Sequence, residues 1–163
     1  MSDFPVEKKF AILTQIARAS HFAWREAVVK CCPDVDPATV VNTMWEITGE
    51  QTAEAYLKRL DPEGDLPRQI AASVVWSSES MGEDARLVVE KEGEAIVEHA
   101  DCPWYHWHAK LGLLTEDRPG CDAWFGKTVD VINERLGTNV RWETRCSLPD
   151  GDGSCVRRFW VEA

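Results

Sequence analysis

No apolar stretch in these 163 residues approaches the ~18 needed to cross a membrane as a helix, so a transmembrane segment is not expected. An export signal is not expected either. The chain opens on charge, with Asp3, Glu7, Lys8 and Lys9 where an apolar core would stand. Clustered lysine and arginine are absent. The formal net charge is −10, and a phosphate backbone needs concentrated positive charge, so nucleic acid is not an expected partner. The basic concentrations, Arg141 with Arg145 and Arg157 with Arg158, suit a small anionic ligand better than a polyanion. Repeats, low-complexity tracts and long linkers are lacking. Tyrosine is scarce, two residues against eight tryptophans. That imbalance predicts that most tryptophans anchor the core and that some wall a pocket with large flat side chains.

With 44% hydrophobic and 28% charged residues, the composition is that of an ordinary folded domain, and the length fits a single one over 1–163. Such a chain buries a core without staples. The expected compartment is cytoplasmic and reducing. This disfavours disulfides among the six cysteines, Cys31, Cys32, Cys102, Cys121, Cys146 and Cys155, which are then core filler, metal ligands or nucleophiles. No membrane partner is expected, and a homodimer is compatible with the composition.

Residues 1–82 read as a helical half. Phe10, Leu13, Ala17, Trp24 and Val28 recur at helical spacing and predict a helix from about Glu7 to Lys30 with that side inward. Asp36-Pro37 is a cap followed by a proline at the first helical position, opening a helix to about Leu60. Its expected buried side is Val40, Val41, Met44, Trp45, Tyr56 and Leu57, with a bend or break at Gly49. Pro67 starts a third helix to about Ser80, with Ile70, Val74 and Val75 inward.

Residues 83–163 read as ββααββ. Alternation over Arg86–Lys91 and Glu94–Asp101 around Glu92-Gly93 predicts a hairpin. Pairing Lys91 with Glu94 puts Leu87, Val89, Ile96, Glu98, Ala100 and then Cys102 on the inner face, while Glu90, Glu92 and Glu94 make a solvated edge. Helices follow over Pro103 to about Leu113 and, after Pro119-Gly120, Cys121 to Leu136. Asn139–Cys146 and Ser154–Glu162 form a second hairpin. The fold class is α+β, N-terminal helices on a four-stranded, mainly antiparallel sheet in the order ααα-ββ-αα-ββ.

In the symmetric register of the second hairpin, Cys146 faces Cys155, Thr144 faces Arg157, Trp142 faces Phe159 and Val140 faces Val161. Two thiols side by side suit one metal ion, zinc or iron, which needs about four donors at roughly 2.0–2.3 Å. Cys102, His106, Cys121, Cys146 and Cys155 are the candidate ligands. Cys-x3-His-x-His is not a zinc-finger string. His106 and His108 lie about 200° apart on a helix, so one of them at most faces the ion, and His106, one turn after Cys102, is favoured. Cys121, expected at a helix start, has a second reading as a thiolate nucleophile with His106 as its base. Arg157, inward beside the cysteines, needs an anion, either Glu98 or a ligand carboxylate, and Trp142 and Trp104 would line the substrate. Cys31 and Cys32 read as core or boundary residues. His21 and Trp24, one turn apart, read as satisfied core residues.

Cys102-Pro103, Gly120-Cys121-Asp122, Cys146 and Gly151-Asp152-Gly153-Ser154-Cys155 together resemble the L-2-amino-thiazoline-4-carboxylic acid hydrolase-like family, and also the 4-vinyl reductase and haem-NO-binding-like group of small domains. The resemblance covers roughly residues 85–162. The first family implies opening of a C–N or C–S bond in a small carboxylate-bearing substrate. The second implies a non-catalytic small-molecule sensor or accessory domain, often with cysteine-bound zinc. Two functional expectations follow: a metal- or cysteine-dependent hydrolase, or a sensor with a structural metal and a tryptophan-lined pocket for an anionic or aromatic ligand.

Overall fold

Two hairpins build one sheet, as the alternation predicts. The structure, a computed structural model, describes residues 4–162. The side chains of Val89 and Glu90 lie outside the described residues, as does Asp3, and with them the positions expected for these three. β1 (Asp84–Lys91) and β2 (Glu94–Asp101) turn at Glu92-Gly93, where Gly93 has φ 75°, a left-handed conformation open to glycine. β3 (Val140–Cys146) and β4 (Cys155–Val161) form the second hairpin. The hairpins join through β2 and β4, giving the all-antiparallel order β1-β2-β4-β3. The α and β elements run ααα-ββ-αα-ββ, the expected α+β order.

The chain divides into two compact units, Met1–Val41 and Asn42–Ala163. The first holds α1 (Val6–Cys31) and the start of α2 (Pro37–Leu57). Asp36 caps α2, its carboxylate accepting the Thr39 and Ala38 N–H groups at 3.1 and 3.2 Å. The inward side expected of α1 is corrected. Thr14, Arg18 and Phe22 are buried, whereas Phe10, Leu13 and Trp24 are 40%, 64% and 43% exposed. Arg18 Nη2 donates to Thr14 Oγ1 at 3.3 Å and Thr14 Oγ1 donates to the Ala11 carbonyl at 3.1 Å, so the two polar members of this stripe are bonded to each other. Cys31 and Cys32 end the helix in solvent.

In the second unit, α3 (Leu66–Ser80) starts at Asp65, whose carboxylate accepts the Arg68 N–H at 3.2 Å. It packs on β1, β2 and β4 through Ile70, Ala71 and Val74. α4 (Pro103–Leu111) and α5 (Leu114–Leu136) follow β2, and α5 packs on β3. Tyr56, Ile70, Val97, Val129, Ile132 and Phe159 centre the core. None of the eight tryptophans is fully buried, which corrects the expectation of core anchors. The indole N–H explains their place at the core's margin: Trp124 donates to Thr52 Oγ1 at 3.3 Å and Trp104 to Glu83 at 3.0 Å. Gly49 does not break α2, which runs through it. It admits α5, since a Cβ there would lie 2.7 Å from the Trp124 carbonyl oxygen, and Thr128 Oγ1 donates to the Gly49 carbonyl at 3.2 Å.

Three local departures from the expected pattern move functional side chains. A bulge between Val89 and Lys91 keeps the Lys91–Glu94 pair but sets Leu87 opposite Val97 and Ala85 opposite His99. Ala95, Val97 and His99 therefore take the helix-covered face, and Ile96 and Glu98 the other. In the second hairpin Val140–Val161, Trp142–Phe159 and Thr144–Arg157 pair as expected, but a bulge after Thr144 sets Cys146 opposite Val156 instead of Cys155. Lastly, α5 begins at Leu114, not Cys121, and carries Pro119 within it.

Candidate ligand-binding site

One end of the helix-covered face becomes polar, as the sequence suggests, with a different set of groups. Arg157 on β4 is 2% exposed. Its guanidinium lies 5.2 Å from the Phe125 ring centroid, and Nη1 donates to the Cys146 carbonyl at 3.5 Å. Nη2 is 3.8 Å from Asp122 Oδ1, and Nε has no hydrogen-bond partner among the described residues. Asp122 is held elsewhere. Its Oδ1 accepts Thr144 Oγ1–H at 2.7 Å and its Oδ2 accepts Arg118 Nε–H at 3.3 Å. Glu98, the protein partner expected for Arg157, binds Arg86 at 2.7 Å on the opposite face, a direct result of the β1 bulge.

A second group of acids and imidazoles is formed by Glu83, His99, His108 and Asp117, of which the last three are buried. His99 Nε2 is 2.9 Å from Ser78 Oγ and 3.3 Å from Glu83 Oε2. Glu83 also accepts the Trp104 indole N–H, and Trp104 meets Trp45 edge-on at 5.4 Å. His108 Nδ1 is 2.9 Å from both the Trp104 carbonyl and Asp117 Oδ2. Gly120 makes room here, because a Cβ would sit 2.8 Å from the Trp45 ring. Glu83, His99, Asp117 and Asp122 were not singled out in the sequence. The bulge accounts for His99 and the early start of α5 for Asp117 and Asp122, and neither leaves a mark in hydrophobic periodicity.

The expected metal centre is not assembled. Among the described residues, no three His, Cys, Asp or Glu side chains are grouped so as to hold a metal ion. The bulge takes Cys146 off Cys155, and Cys155 Sγ accepts the Leu148 N–H at 3.3 Å. His106, the favoured ligand and expected base, points outward with 59% of its side chain exposed and binds Asp101 at 2.6 Å. His108 is the buried one, so the preference between the two is reversed. Cys102 precedes α4 as a buried cap residue. Its thiol is pushed from 9.0 up to about 12, by burial first and then by the negative charge of Glu83. Cys121 lies well inside α5, where no free helix N-terminus favours a thiolate. Burial pushes its thiol well above the ordinary value, and the positive charge of Arg157 opposes this only in part.

Alkylation therefore separates the exposed thiols from those of Cys102 and Cys121. Cys31 and Cys32, both exposed, should react with iodoacetamide first. Cys102 has its thiolate fraction cut by about a thousandfold, so it and Cys121 should stay unmodified until denaturant is added. Peptide mass spectrometry reads the order, and early labelling of Cys121, a half-buried residue, would contradict the raised pKa of its thiol.

No protein-family model matches the chain, and no curated protein sequence matches it. Solved structures do. The crystal structure of trafficking protein particle complex subunit 3 from Naegleria fowleri, covalently bound to palmitic acid, aligns over 94% of this chain and 97% of its own, with TM-score 0.58 and 13% identity. The phenol-responsive sensory domain of the transcription activator PoxR, with phenol, aligns over 88% and 73%, with TM-score 0.58 and 11% identity. An H-NOX protein from S. oneidensis in the Fe(II)NO ligation state reaches TM-score 0.47 at 8% identity over 99% and 78%, too low for inference. At such identities the likeness is one of fold: the chain shares the fold of proteins solved with small organic molecules.

Proposed function

We propose that the 42–163 unit binds a small organic molecule bearing an anionic group, with Arg157 as its anchor and Phe125 and Trp142 as flat apolar neighbours. The observation that carries this reading is the buried guanidinium whose donors are poorly used. Buried charges are normally paired and fully hydrogen-bonded, yet Arg157 has one weak bond, one distant carboxylate and a bare Nε. A carboxylate or phenolate placed there would accept in the forked geometry that arginine offers. The two fold neighbours support the ligand class, one solved with phenol and the other bound to palmitic acid. This follows the sensor side of the sequence resemblance. The cysteine-dependent hydrolase reading calls for a Cys121 thiolate with His106 in reach, whereas burial raises the Cys121 thiol pKa and His106 binds Asp101.

Titration with benzoate, phenylacetate, phenol and hexanoate, followed by tryptophan fluorescence and thermal unfolding, tests the reading. At about 1 mM, a ligand of about 10 µM affinity should raise Tm by roughly 5 °C and change the emission saturably. If none of the four does either, the interior does not bind this class.

A further inference from the structure

The first helix has its amphipathic pattern turned outward. Val6, Phe10, Leu13, Ile16 and Trp24 are 73%, 40%, 64%, 57% and 43% exposed, and Ala17, Ser20, Ala23, Ala27 and Cys31 are exposed beside them. The buried stripe is Thr14, Arg18 and Phe22. The outward positions follow a heptad seam, with Phe10, Ala17, Trp24 and Cys31 on one row and Val6, Leu13, Ser20 and Ala27 on the other. Bulk is uneven along it. Phe10, Leu13 and Ile16 stand in the N-terminal half, while Ala17, Ser20, Ala23 and Ala27 leave the C-terminal half low except at Trp24.

We propose that α1 is a dimerisation helix, packing antiparallel on α1 of a second copy of this chain. In an antiparallel pair the two seam rows face each other. Phe10 then lies on Ala27 of the second copy, Leu13 on Trp24, Ala17 on Ser20 and Val6 on Cys31, so no layer stacks two aromatics. A parallel pair would set Trp24 on Trp24 and Phe10 on Phe10, with alanine on alanine between them, and would align the helix dipoles unfavourably. The seam offers on the order of 600 Å² per copy, the lower limit of what specific association uses, so the dimer is a micromolar one.

The full chain tests this by analytical ultracentrifugation from about 1 to 200 µM, across the range of the expected affinity. The mass should rise from one copy to two. Leu13→Glu, at an exposed position, should weaken association at least tenfold and leave the circular dichroism spectrum and Tm unchanged. Oxidised Val6→Cys should form a covalent dimer with Cys31 of the second copy, and Val6→Cys combined with Cys31→Ser should not. A single-copy mass throughout the range, or a dimer indifferent to Leu13→Glu, overturns the proposal. A cross-link that survives Cys31→Ser overturns the antiparallel register, and so does a Val6→Cys variant that dimerises without cross-linking.

Discussion

Gly49→Ala should lower Tm, by up to roughly 8 °C, even though alanine is the better helix former. In an open helix interior the change would stabilise by about 1 kcal/mol. At Gly49 the added Cβ would lie 2.7 Å from the Trp124 carbonyl oxygen and 3.2 Å from both Lys127 Cβ and Thr128 Oγ1. The closest of these is backbone, so relief comes only by moving α5 away from α2. That movement also stretches the bond from Thr128 to the Gly49 carbonyl. Overpacking of this kind costs about 1–3 kcal/mol or more, which outweighs the propensity gain. Gly126→Ala is the matched control, because its nearest contact is 3.4 Å from the edge of the Trp142 ring, and it should stay within about 1 kcal/mol of the parent. Thermal unfolding followed by far-UV circular dichroism reads both. A Gly49→Ala protein that melts at or above the parent temperature would mean that the two helices do not cross this closely.

Arg157→Met should have two opposed effects. Ligand affinity should fall at least 100-fold, about 3 kcal/mol, since charge-assisted bonds to the anionic group disappear. The folded state should become more stable by about 1–2 kcal/mol, because a buried cation with unused donors is exchanged for an apolar chain of similar length lying on Phe125. Asp122 is not orphaned by the change, since Thr144 and Arg118 retain its two oxygens. Calorimetric titration with benzoate, together with thermal unfolding, separates the two effects. A variant that melts earlier than the parent would make Arg157 a structural cation, and the case for an anchor would go with it.

The fold was legible in the sequence because it rests on periodicity and punctuation. Asp36-Pro37, Pro67, Glu92-Gly93 and Gly137 mark element ends through capping, helix-start proline and left-handed turns, and alternation marks the strands. The inward position of Arg157 followed from pairing Thr144 with it, which the structure retains. The site's other members were hidden by bulges. One extra residue in β1 exchanges Glu98 for His99 on the inner face, and one in β3 parts Cys146 from Cys155. Pro119 was read as a helix boundary, but α5 starts at Leu114 and runs through it, so Cys121 moved from a helix start to an interior turn. The apolar spacing of α1 was read as inward, but period alone does not say which neighbour a stripe awaits.

Asp122 has a two-sided position. One oxygen serves Thr144 and looks toward Arg157 in the interior, and the other accepts from Arg118, whose guanidinium also grips Asp150 in the turn at Leu148–Asp150. A single carboxylate thus ties a hidden cation to the tip of the last hairpin. Through Thr144 and Arg118 the same side chain joins the inner face of β3 to that tip, the part of the hairpin most open to being touched from outside.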